Sequence, residues 1–189
     1  MRGAALLLMF SLSGSWGLAQ AETTALVPHI AGNQFHSNVL TLVNMTGLRD
    51  ELLRNRHTVA EEGKQVILHS FPSYDPAFAD EWARRMERSS VDDYLNVVVS
   101  VYEKNYSNDD VLEMIQVQRD LSADRQPVLS IQLRSKLARV APTVENEITS
   151  GFKELGAKQG EQVGEEVAKE HPEWLRSSES SKSDAKPVN

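Results

Sequence analysis

Ser150-Gly151-Phe152-Lys153 fits S-x-x-K, the spacing at which one helical turn brings a lysine amine to a serine hydroxyl in acyl-enzyme chemistry. It is the sharpest catalytic pattern in the chain. The S-D-N and K-T-G elements that accompany this spacing in penicillin-binding proteins have no counterpart here. A solvated serine and lysine flanking a buried Phe152 is therefore the plainer account, with a small serine hydrolase using Ser150 and Lys153 as the alternative. His57 and Glu61 stand one turn apart, a spacing open to a two-ligand metal site; His69 would lie about 18 Å from His57 on a continuous helix, too far to share the ion. Asp92-Asp93 and Asp109-Asp110 could suggest paired-carboxylate hydrolysis. Each pair follows a serine that can open a helix, where unsatisfied amides and the helix dipole already favour negative charge. There is no H-E-x-x-H, no G-x-S-x-G and no glycine-rich phosphate turn. The expectation is a non-catalytic chain with no cofactor and no metal.

Two further sets of residues could bind rather than react. Trp82, Tyr94, Tyr102 and Tyr106, on neighbouring helices, could line a pocket for a small apolar ligand, the phenols meeting polar partners at its rim; the competing account is an ordinary core. Gly156, Gly160, Gly164 and Ala168 recur every four residues within GAKQGEQVGEEVAKE. A glycine inside a helix is about 1 kcal/mol less favourable than alanine, so the shared face must serve something. Positions four apart drift by about 40° per step and form one slanting row beside Leu155, Gln159, Val163 and Val167. A bare row beside an apolar one is a surface that a second helix can approach closely. Packing within the same domain, a homodimer seam and a groove for a protein partner are the three readings. Lys158, Glu161, Glu165 and Glu166 exclude the lipid-embedded use of such spacing.

The elements that must position these residues read as helices. Phe35, Val39, Leu42 and Val43 mark a short first helix; Leu48, Leu52, Val59, Val66 and Ile67 mark a longer one that ends near Phe71-Pro72. Asp75-Pro76 pairs a capping carboxylate with proline at the first helical position, and Phe78, Trp82 and Met86 give that helix its buried stripe. Ser90-Val91-Asp92-Asp93 and Ser107-Asn108-Asp109-Asp110 read as two copies of one start signal, a hydroxyl cap with a carboxylate three residues on. Residues 95–101 and 128–133 also alternate as strands would, but helical caps flank them and Leu129, Leu133, Leu137 and Val140 continue at helical spacing, in a helix that Pro127 could start or kink. A last helix is expected from Pro142-Thr143 to just before His171-Pro172, since the residue before proline avoids the helical region. The fold class expected is all-α, an irregular bundle of about six or seven helices over residues 30–174.

The ends differ in composition. Met1-Arg2, the apolar run Ala4 to Phe10 and Ala19-Gln20-Ala21 form a secretory signal with cleavage after Ala21, too short to span a bilayer. The chain is then periplasmic or secreted, with a retained anchor as the alternative, and the mature part contains no membrane span. Residues 175–189 are serine-rich and polar and read as a disordered tail. Removing residues 1–21 takes away only one charge, Arg2, and leaves 27 acids against 19 bases, a balance that disfavours nucleic acid. With no cysteine in 189 residues, disulfides, thiol catalysis and thiolate metal sites are all excluded.

The segment YEKNYSNDDVLEMI, Tyr102 to Ile115, with the downstream GEEVAKEHPEW, resembles the exported bacterial helical family catalogued as domain of unknown function 2059. Tyr102, Tyr106-Ser107 and Asp110-Val111 match its tyrosine, aromatic-hydroxyl pair and acidic-aliphatic pair. Val117-Gln118 and Leu121-Ser122-Ala123-Asp124 stand where that family usually carries Phe-Tyr and a Ser-Pro-x-Gly-like turn. The resemblance implies an all-helical exported fold and carries over no catalytic residue.

Overall fold

Helix α1, Ala31–Met45, buries Val39, Leu42 and Val43, the three- and four-residue spacing of one helical face. It stops at Gly47, whose φ of +72° is a left-handed conformation that glycine adopts without strain. The computed structural model describes residues 31–175. Among these, α2 (Leu48–Ser70), α3 (Pro76–Met86), α4 (Asp92–Asn105), α5 (Asn108–Ser122) and α6 (Ile131–Glu170) follow, closed by a 3-10 turn, Pro172–Leu175. The fold is all-α, without a strand among the described residues. Residues 95–101 are helical throughout; of 128–133, only Ile131 to Leu133 are helical. The expected signal segment 1–21 and the expected tail 175–189 lie outside the described residues, except for Leu175, which belongs to the 3-10 turn.

The described residues form two compact units. One comprises α1, α5, Asn96 onward in α4 and α6 up to Ser150; the other comprises α2, α3, the start of α4, α6 from Gly151 and the 3-10 turn. The first has a core of branched aliphatic side chains. Val39, Leu42, Val99, Val111, Val117 and Leu133 are each no more than 2% exposed, and α1 packs on α5. The second is built from smaller pieces, with Ala60, Ala79, Ala83, Phe78, Leu48, Leu95 and Val167 buried.

Three start signals behave differently from one another. Asp75 caps α3 as the sequence requires, its carboxylate accepting from the Ala77 N–H at 2.9 Å with Pro76 in the first turn. Ser107 and Asp110 close a complete capping box on α5. Ser90 does not repeat it: its Oγ accepts from Asp92 N–H at 3.1 Å, but Asp92 is drawn to Arg49 and Asp93 accepts from Gln159. The expected twin of the Ser107 box is thus broken by partners from elsewhere in the chain.

The helix expected along Leu129, Leu133, Leu137 and Val140 and the last helix expected from Pro142-Thr143 are one element. α6 begins at Ile131 and runs through Pro142 without a break. Proline there removes only the donor that would reach the Ala138 carbonyl, and both residues are exposed, so water can take that carbonyl. Its first turn is fixed at Ser130, whose Oγ accepts from Leu133 N–H at 3.1 Å and whose carbonyl accepts from Arg134 N–H at 3.0 Å. The carboxylate that a capping box would take from the third helical residue comes instead from Glu113 on α5. It accepts from both the Ser130 N–H and, at 2.9 Å, the Ser130 hydroxyl. Ser130→Ala should therefore lower stability by about 1–2 kcal/mol in a denaturant titration; an unchanged midpoint would mean this cap contributes nothing.

The α2 stripe also differs from expectation. Leu48 is buried and Leu52 and Ile67 are half-buried, but Val59 and Val66 are 60% and 64% exposed. The buried side of α2 runs instead through Ala60, Gly63 and Ile67, spaced by three and four residues. On α3, Phe78 is buried while Trp82 and Met86 are half-buried, and Ala79 and Ala83 complete the buried face.

Candidate functional site: the Trp82 slot

The glycine row on α6 receives side chains, not a second helix backbone. A Cβ on Gly160 would lie 3.2 Å from Trp82 Cζ2, one on Gly164 would lie 3.9 Å from Trp82 Cδ1, and one on Gly156 would lie 3.5 Å from the Tyr94 hydroxyl. Ala168, the last of the row, is half-buried. The indole also points its Nε1–H at the Gly160 carbonyl, 2.8 Å away. That oxygen already serves the helix ladder, and its second lone pair takes the indole. At the outer edge of the six-membered ring stands Gly63 of α2, where a Cβ would lie 2.5 and 2.6 Å from Trp82 Cη2 and Cζ3. One ring from α3 thus sits between glycines of α2 and α6.

The distances rank the glycines. At Gly63 the overlap is with a rigid bicyclic ring that cannot bend aside, so glycine is demanded. At Gly160 the contact is tight, and at Gly156 and Gly164 it is ordinary van der Waals packing. Gly63 belongs to no row. Its mark in the sequence is that it stands alone inside α2 among Glu61, Glu62, Lys64 and Gln65, where any ordinary helix former would serve.

Gain and penalty at the slot are nearly matched. The three α6 glycines are together about 3 kcal/mol less favourable than alanines. A fully buried tryptophan removes roughly 150–250 Å² from water, about 4–6 kcal/mol at ~25 cal/mol/Å². Trp82 is only half-buried, which leaves about 2–3 kcal/mol, with about 1 kcal/mol more from its hydrogen bond. The ring and the glycine penalty come close to cancelling.

Beside the slot, charge gathers on Arg85. It donates to Glu81 at 2.6 Å and to both Glu170 oxygens at 2.5 and 3.0 Å, with Glu166 at 3.8 Å. Glu81 also accepts a two-pronged bond from Arg84. Hydrogen bonds from Arg84 and then Arg85 hold the Glu81 carboxyl down at about 2, against 4.5 for a free one. Lys64 of α2 is paired with Asp80 of α3 at 2.6 Å.

The other sequence candidates fall apart into separate places. Tyr94 packs edge-on against Phe152, with centroids 5.2 Å apart. Tyr102 and Tyr106 belong to the first unit, where their rings tilt against each other at 5.3 Å, Lys136 lies over Tyr106, and burial pushes the Tyr106 phenol up to about 12. The four aromatics therefore form two sets, one in each unit. Ser150 and Lys153 are both exposed on α6. His57 faces Glu87 at 3.5 Å, while Glu61 pairs with Lys64. Among the described residues no group of three or more His, Asp or Glu could hold a metal ion, and no helix is long and apolar enough to cross a membrane.

No protein-family model, curated protein or solved structure matches the chain.

Two outcomes test the slot. Gly63→Ala should destabilise by about 1–3 kcal/mol and Gly160→Leu by more, through overpacking against the indole; Trp82→Leu should relieve most of the Gly63→Ala effect in a double-mutant cycle, and additive losses would place the ring elsewhere. For Glu81 the folded pKa lies below the unfolded one, so its contribution is complete above about 4.5 and is lost as pH falls toward about 2. Stability measured across that window should fall more steeply for the parent than for Glu81→Gln, and parallel curves would contradict the pairing.

Proposed function

We propose that the chain is a non-catalytic exported helical module that binds a protein partner through the outer face of α2. The observation that carries this reading is the valine pair. Val59 and Val66 are seven residues apart, hence within about 20° of one another around the helix, and are 60% and 64% exposed. Exposed apolar residues scattered singly need no explanation, whereas two in line on one helix form a strip of the kind a partner helix can cover. Export is supported by Met1-Arg2, the apolar run to Phe10 and Ala19-Gln20-Ala21. The resemblance of Tyr102 to Ile115 to the exported family catalogued as domain of unknown function 2059 supports a bacterial envelope setting.

Affinity capture from envelope extract, with the parent and a Val59→Glu/Val66→Glu variant compared side by side, tests the reading. Both sites are exposed, so the variant should melt within about a degree or two of the parent. It should lose a partner that the parent retains in stoichiometric amount. A partner held equally by both proteins, or none held by the parent, removes the assignment. Labelling by a fluorophosphonate probe that disappears in Ser150→Ala would replace it with hydrolase chemistry.

A further inference from the structure

The final stretch of the second unit has little to hold it. In Gly156–Leu175 only Val167 is buried, whereas the shorter α5 buries Val111, Met114, Ile115 and Val117. Three glycines lower the intrinsic helicity of this stretch. Its fastenings are few and are concentrated on α3: the Trp82 indole on Gly160, the Arg85 fork on Glu170, and a main-chain bond from Asp75 N–H to the Trp174 carbonyl at 2.8 Å. Gln159 adds a single contact to Asp93 of α4 at 3.2 Å, while its own Oε1 is buried without a partner.

We propose that Gly156–Leu175 is a strap, latched to α3 by Trp82 and Arg85, that opens as one unit while α2 and α3 stay folded together. Segments with few buried apolar side chains and a small number of fastenings are the ones that open sub-globally. Opening frees the Trp82 indole N–H and the Arg85 guanidinium from Gly160 and Glu170, so that groups occupied in the latched state become available. The device is independent of the α2 valine strip: the strap and α2 meet different atoms of Trp82, and Val59 and Val66 are exposed with the latch closed.

Native-state hydrogen exchange on the full chain decides it. Amides 160–170 should share one opening free energy, lower than that of amides 80–86 in α3 and 111–117 in α5. Trp82→Phe keeps a ring in the slot and loses the Nε1–H bond; it should speed exchange at 160–170 by about tenfold and leave α5 unchanged. Gly156→Ala meets only ordinary contact at the Tyr94 hydroxyl, raises helix propensity, and should slow the same amides by about fivefold. Exchange of 160–170 in step with α3 would mean that the unit unfolds whole, and the strap would not exist. So would a Gly156→Ala variant that leaves their exchange unaltered.

Discussion

The packing of the second unit depends on where one indole lies. Among the described residues, three of its seven buried side chains are alanines, and the larger residues it buries, such as Phe78 and Leu95, come from separate helices. Such a set cannot fill the space between α2, α3 and α6 by interdigitating branched side chains as the first unit does with Val39, Leu42, Val111 and Leu133. Trp82 supplies the missing volume in one piece. Gly63 and Gly160 then follow as consequences, because the ring leaves no room for a Cβ at Gly63 and only a tight fit for one at Gly160.

The charges around the ring act in a different way from the ring itself. Arg84, Arg85, Glu81 and Glu170 lie near the surface, where an isolated pair contributes about 0–1 kcal/mol and salt screens it. Glu81 is the most enclosed, with its side chain 15% exposed and two guanidinium partners. Its strongly lowered pKa marks a well-formed network rather than a large stabilising energy. Burial of the indole stabilises the unit more than these ion pairs do, and the network sets the register in which α3 and the end of α6 meet.

Much of the fold is legible where partners lie within one helical turn. Asp75 with Pro76, the Ser107 and Asp110 box, the Gly47 stop and the end of α6 before His171-Pro172 are all local events, and the residues that cause them stand next to one another in the chain. Where sequence and structure differ, the partners are distant. The cap of α6 uses a carboxylate 17 residues away, so the sequence at Ser130 lacks the acid that would mark a helix start there. The Ser90 stretch carries the same serine and aspartate pair as the Ser107 one, but the competing claims of Arg49 on Asp92 and Gln159 on Asp93 are invisible locally. The contacts of the slot span 78 and 85 residues.

The glycine row shows how far a pattern can go without its partner. Spacing alone establishes that something must lie along Gly156, Gly160 and Gly164, because each glycine weakens a helix that otherwise reads as strong. It does not distinguish a helix backbone from a ring, since both need the same missing side chains. Two features do distinguish them. A backbone at that distance would press on the row evenly, whereas here one ring is tight at Gly160 and relaxed at Gly164, and a different side chain, Tyr94, meets Gly156. The decisive one is Gly63: an isolated glycine on a different helix has no row of its own to explain it, and becomes intelligible only as the far wall of a slot whose near wall is Gly160.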